Sequence, residues 1–214
     1  MSKRGWLVVV LLLLAVGWWH SPLSPRSAAV PAQVDDVAVD CLLPPRVVAG
    51  ASPLQSPVPA SQPPFLLQAA TLTPLAGFSV QARVLSREDY RMGREAELSP
   101  TDLALGWGRM RDDAVLARLD ISQSGRFYRY RWQDAPPLPP AEIVRSSANM
   151  HLIPADATVA ETLQDVREGD RVRIQGWLVE ARAADGWHWR SSTTREDSGA
   201  GACELIYVCA LERL

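Results

Sequence analysis

Lysine is almost absent from this chain of 214 residues: Lys3 is the only one, and every other basic residue is arginine. Arginine suits bidentate recognition of carboxylate or phosphate, but the abundant alanine beside it makes a GC-rich coding bias the plainer cause. The formal net charge of −2 shows no excess of positive charge, so the electrostatic footprint of a nucleic-acid binder is missing. Cysteine is scarce too. Cys41, Cys203 and Cys209 form no C-x-x-C pair, and with His151 and His188 they match no zinc spacing. Asp185-Gly186 and Glu196-Asp197-Ser198-Gly199 are too sparse for an EF-type calcium loop. No G-x-S-x-G elbow occurs, which removes the nucleophile of an α/β-hydrolase. No metal and no cofactor is expected.

What the chain does have begins at its N-terminus. Lys3-Arg4 precedes an unbroken apolar run of fourteen residues, Trp6 to Trp19, followed by His20-Ser21-Pro22. A basic flank before such a run is the grammar of export, because the positive charge stays on the cytoplasmic side. A full crossing wants about 20 apolar residues, but Trp18-Trp19 sit where an aromatic belt would lie, and a thinned bilayer tolerates short spans. Residues 1–20 are therefore expected to form a signal-anchor or a signal peptide. Small-residue cleavage signals at Ser27-Ala28-Ala29 and Val30-Pro31-Ala32 lie far from the run's end, which favours an anchor that stays. The expected location is a single pass through the cytoplasmic membrane with the rest of the chain outside; the alternative is secretion to the periplasm. The expected partners are the membrane, through this segment, and an envelope protein or ligand.

Residues 21–76 read as a flexible tether. Prolines at 22, 25, 31, 44, 45, 53, 57, 59, 63, 64 and 74 deny it ladder donors and helix continuity. Within it, Phe65-Leu66-Leu67 could dock on the domain, but a loose segment is the expectation. An odd cysteine count outside the cytoplasm leaves one thiol unpaired or invites an intermolecular bridge. Cys203 and Cys209 fall in what reads as one strand, with Cα atoms roughly 20 Å apart, too far for a disulfide. Both read as buried, inert thiols. Cys41 follows Asp40, which does not fit a lipobox.

Residues 77–214 read as one β-rich globular domain. Phe78 to Leu85 alternates as a half-buried strand. Ser99-Pro100-Thr101-Asp102 reads as a helix start, closed by Gly106-Trp107-Gly108. Asp112-Asp113 precedes either one more helical turn or a strand entry. Ile121 to Trp132 carries a second alternating run, with Tyr128, Tyr130 and Trp132 on one face and Phe127, Arg129 and Arg131 on the other. The prolines from 136 to 140 make a stiff crossover. Thr158 to Glu161 fits a capping box opening a short helix to about Val166. Arg171 to Arg182 reads as a strand, Asp185-Gly186 as a hairpin turn, Trp187 to Thr193 as its return, and Cys203 to about Leu211 as the last strand. The fold class is mainly β with short helices (α+β), a small OB-like barrel or a strongly bent antiparallel sheet.

The stretch from Thr158 to Leu211 resembles part of an OB-type barrel: a short helix, then Gly169-Asp170-Arg171-Val172-Arg173-Ile174-Gln175-Gly176 as a strand bent at a glycine, then a hairpin, a polar turn and Leu205-Ile206-Tyr207-Val208. The whole chain also resembles a group of bacterial membrane-anchored proteins of unknown function. The matching stretches are Leu98 to Gly108, Ser146 to Pro154 and Trp189 to Gly199. That resemblance implies membrane anchoring and brings no activity with it.

The densest chemistry lies at Ser146-Ser147-Ala148-Asn149-Met150-His151. As an envelope hydrolase, His151 would serve as base for Ser146 or Ser147 and be oriented by Asp197. The plainer reading has Ser147 and Asn149 satisfying local backbone groups around a hydrogen-bonded His151. A second cluster, Arg190 to Asp197, would bind an anionic or sugar-like ligand at the mouth of a barrel, with Arg195 as anchor and Trp187 or Trp189 as stacking wall. Trp107, between two glycines, is either a recognition aromatic or a core plug. The candidate ligand-binding residues are thus Trp107, Asn149, His151, Trp187, Arg195 and Asp197, in a noncatalytic binding module. Arg126 to Trp132 could hold single-stranded nucleic acid on an OB-like face, but the charge balance and the location outside the cytoplasm weigh against it.

Overall fold

The computed structural model describes residues 3–19, 30–34, 41–194, 199 and 201–214. The N-terminal run forms α1 (Lys3–Trp19). Among the described residues no helix is long and apolar enough to cross a membrane. After it come β1 (Leu54–Ser56), β2 (Phe65–Leu66), β3 (Thr71–Asp89), α2 (Arg94–Leu98), β4 (Thr101–Gly106), α3 (Asp113–Leu116), β5 (Asp120–Ser124) and β6 (Phe127–Arg131). The chain continues through α4 (Pro140–Arg145), β7 (Ser147–Pro154), α5 (Ala157–Asp165), β8 (Arg171–Arg182), β9 (His188–Arg190) and β10 (Glu204–Arg213).

Five of these strands close a ring. β3 pairs β4, β4 pairs β7, β7 pairs β10, β10 pairs β8, and β8 returns to β3. All pairs are antiparallel except β7 with β10. The closing seam is long, running from Thr71 opposite Arg182 to Arg83 opposite Arg171. With α5 between the third and fourth strands of the ring, this is a small Greek-key barrel of the OB type. Its interior is apolar: Phe78, Val80, Leu103, Leu105, Met150, Leu152, Ile174 and Ile206 are buried there. α5 plugs one end with Val159 and Leu163. Its N-cap is Asp156, whose carboxylate accepts from Val159 N at 2.8 Å, two residues ahead of the expected Thr158. At Gly176 a Cβ would stand 2.1 Å from the Tyr207 carbonyl oxygen, so β8 and β10 approach at a distance only glycine permits.

Two expectations fail for physical reasons. Thr101 to Gly106 is strand β4, not a helix, because it lies fully buried between β3 and β7 and ladders to both; tertiary pairing overrides the cap signal of Ser99-Pro100. The tether expected over 21–76 is, at Ala32 and Gln33 and again from residue 41, folded onto the barrel. β1 and β2 cover the edge that the first half of β3 leaves free before β4 takes over, protecting an open strand edge. Pro74 does not break β3, since it sits where the register with β8 shifts, a position that proline tolerates. Phe65 is buried, with its ring centroid 4.1 Å from that of Tyr207. Burial pushes the Tyr207 phenol up to about 12.

Cys41 on this strap is bonded to Cys209 on β10, with Cα atoms 5.4 Å apart. Cys209 is thus no inert thiol, and Cys203, outside this bridge, is half-buried. The bridge spans a sequence separation of 168 residues, so it restricts the unfolded chain strongly. Reduction, or Cys41→Ser with Cys209→Ser, is expected to lower unfolding free energy by roughly 2–4 kcal/mol. Urea denaturation with and without reductant checks this; a change below about 0.5 kcal/mol would contradict a docked strap.

Candidate functional site

The outward side chains of β4 and β7 alternate with the core residues. Asp102 on β4 stands opposite His151 on β7, and Ala104 opposite Asn149. Ala104 is small, which leaves room for something to lie across the two strands. What lies there is the β5–β6 hairpin, joined by Gly125 and Arg126, both at positive φ (58° and 69°). That glycine ends the alternating run expected to be continuous from Ile121 to Trp132. The expected split of faces holds, with Tyr128 and Tyr130 half-buried and Phe127, Arg129 and Arg131 exposed.

Asp102 is 0% exposed, and a carboxylate buried there needs hydrogen-bond partners. Arg126 Nη1 donates to Oδ1 at 2.6 Å, and Asn149 Nδ2 donates to Oδ2 at 3.2 Å. His151 Nδ1 lies 2.9 Å from Oδ2, but off the line of a well-formed hydrogen bond. Asn149 Nδ2 also donates to the Arg126 carbonyl at 3.0 Å, and Gln123 Nε2 donates to Asn149 Oδ1 at 2.6 Å. The hairpin is therefore fixed to the barrel by a buried polar cluster in which Gln123 Oε1 and His151 Nδ1 make no hydrogen bond.

From this cluster a ladder of rings and guanidiniums runs to the surface. The Arg126 guanidinium stacks 3.7 Å from the Tyr90 ring centroid and 5.5 Å from that of Trp189. Tyr90 OH accepts from the Arg126 amide at 2.9 Å. Burial pushes the Tyr90 phenol up, against the pull of that amide. Trp189 packs on His151 at 4.7 Å and on the edge of Trp187 at 6.3 Å. Arg94 covers Trp187 at 5.4 Å and forms a two-pronged pair with Asp185. Arg94 holds the Asp185 carboxyl below its usual range by hydrogen bonding. Asp185 in turn accepts from the Trp187 amide at 3.1 Å. Tyr90, Trp187 and Trp189 are half-buried, and Arg94 is exposed.

The sequence-predicted residues fall into three groups. Asn149, His151 and Trp187 are brought together, the first two inside the cluster and the third on the ladder. Trp107 is 2% exposed and packs inside the barrel, so it is a core plug and not a recognition aromatic. Arg195 and Asp197 lie outside the described residues. The hydrolase arrangement is not assembled among the described residues. His151 is 3% exposed and faces Asp102. Ser147 sits four residues away along an extended strand, roughly 13 Å, where its hydroxyl donates to Ile143 O and accepts from Tyr128 OH. Asp102, Tyr90 and Arg94 escaped sequence reasoning as site residues, and Arg126 entered it only as one end of a run that could hold nucleic acid. The signal that could have found Arg126 is Gly125, which interrupts an alternating pattern and so announces a turn.

Comparison with known families, curated proteins and solved structures finds no match to this chain. The class that fold and site define is an OB-type barrel whose second and third strands are covered by the protein's own hairpin. Removing one partner of the buried pair strands a charge in a low-dielectric site. Asp102→Ala is therefore expected to lower unfolding free energy by roughly 3–5 kcal/mol, whereas Asp185→Ala, in an exposed pair, costs under about 1 kcal/mol. Urea unfolding of the two variants checks the contrast; equal effects would contradict the cluster's role.

Proposed function

We infer that this protein is a membrane-anchored envelope protein whose barrel binds a ligand without chemical turnover. The observation that carries the reading is the ladder Arg94–Trp187–Trp189–Arg126–Tyr90. Tyr90 and Arg94, and Trp187 and Trp189, lie where an OB-type barrel takes ligands, on the loops joining its first two and its last two strands, and Arg126 reaches them from the hairpin between the second and third. Half-exposed indoles held by cations and hydrogen bonds provide a flat apolar surface beside fixed polar groups, which is the usual make-up of a small-molecule site. Both guanidiniums already carry carboxylate partners, Asp102 and Asp185. The ladder is therefore close to neutral, which favours a sugar-like ligand over a polyanion. The export-type N-terminus and the Cys41–Cys209 bridge support a location outside the cytoplasm, where disulfides persist and cell-wall glycans are met.

Soluble cell-wall oligosaccharides titrated into the detergent-solubilised full chain are expected to bind saturably by calorimetry. Trp187→Ala is expected to weaken binding about tenfold or more, a loss of about 1.4 kcal/mol, while Trp132→Ala leaves it unchanged. No binding by the wild type, or equal binding by Trp187→Ala, would overturn the reading.

A further inference from the structure

The strap between Cys41 and Val48 carries more exposed aliphatic surface than its surroundings explain. Pro44 and Val47 face the barrel and are buried. Leu42, Leu43 and Val48 point away and are 49%, 57% and 76% exposed. Scattered surface leucines are ordinary, but these three occupy seven residues of a backbone fixed in four places. Cys41 is bonded to Cys209. Trp177 Nε1 donates to the Leu42 carbonyl at 2.9 Å, and Gln175 Nε2 to the Pro44 carbonyl at 3.0 Å. Val47 N donates to Ser79 Oγ at 3.0 Å. Arg46, beside the ridge, pairs with Glu212 at its edge. A rigidly held apolar ridge next to a cation matches the make-up of a surface that dips into a lipid headgroup layer.

Two further observations identify the bilayer as the occupant. α1 has seventeen residues, about 26 Å of helix against a hydrocarbon core of about 30 Å, so its outer end would lie at the interface or below it. The chain is also on the barrel again by residue 32, where Gln68 N donates to the Ala32 carbonyl and Gln33 bridges Leu67. The thirteen Cα steps from Trp19 to Ala32 cannot span more than about 45 Å whatever their conformation. We propose that Leu42, Leu43 and Val48 seat the barrel on the outer surface of the bilayer that holds α1. The ridge is too small to recruit the protein from solution. It is sufficient for a contact within one chain, where the high effective concentration does the recruiting. The proposal rests on the anchor reading given above, and it replaces a long-reach tether with a domain held close to the membrane.

The test uses the full chain in nanodiscs of phosphatidylethanolamine and phosphatidylglycerol (3:1) carrying a trace of photoactivatable phosphatidylethanolamine. After illumination, lipid adducts are mapped by mass spectrometry. Adducts are expected on α1 and on the 41–48 peptide. Leu42→Ser, Leu43→Ser and Val48→Ser combined should reduce the strap adducts at least fivefold, leaving the α1 adducts, the melting temperature and the oxidised Cys41–Cys209 bond as in the wild type. Labelled α1 with an unlabelled strap overturns the ridge and leaves the anchor standing. Neither labelled overturns both. Cross-links from the strap to a second copy of the chain overturn the lipid assignment in favour of self-association.

Discussion

Much of this structure hangs on one buried carboxylate. Asp102 points outward from the barrel, yet it is sealed from water, and a carboxylate buried there must be met by donors. β7 supplies Asn149 as a donor and sets His151 beside the carboxylate, and the hairpin supplies Arg126 from its turn. Meeting that charge sets the hairpin across β4 and β7, fixes Arg126 between Tyr90 and Trp189, and so aligns the aromatic ladder. The face that OB-type barrels commonly offer to oligonucleotides is thereby taken up by the protein itself. Ligand access moves to the loop end, where Trp187 and Arg94 stand.

The second organising element is the strap. A barrel of this size closes its own ring, but β3 runs nineteen residues and its first half has no barrel neighbour on one side. The Pro-rich segment fills that edge with two short strands, buries Phe65 and Leu67 over the outer layer, and is locked by the disulfide. Prolines that would disrupt a central strand are harmless here, because an edge needs few donors. The segment that resembles a linker by composition is thus half of a second apolar layer.

How far the sequence discloses this depends on the range of the interaction concerned. Periodicity marked β6 and β8, and Asp185-Gly186 marked the turn between β8 and β9, since each reports local geometry. The mainly β content with short helices, as a small barrel or a strongly bent sheet, was legible from residues 77–214. β4 was not, because its six residues obey their neighbours and not their own propensities. The Cys41–Cys209 bridge was not either: it joins positions 168 apart, and spacing alone could only rule out Cys203 with Cys209. Asn149, His151 and Trp187 stood out as polar or aromatic residues in suggestive company. Asp102 did not, because a single acid after Ser-Pro-Thr looks like helix-capping chemistry until the fold buries it.

The central claim is that the Asp102 cluster clamps the hairpin to the barrel and thereby builds the ladder. Amide hydrogen exchange of Arg126→Ala beside the wild type tests it most directly. Arg126→Ala leaves Asp102 its two β7 neighbours, so the barrel should survive. The account predicts that amides of residues 120–131 and of Tyr90 lose protection at least tenfold while those of β3 and β8 keep theirs. Hairpin protection equal to that of the wild type would contradict it.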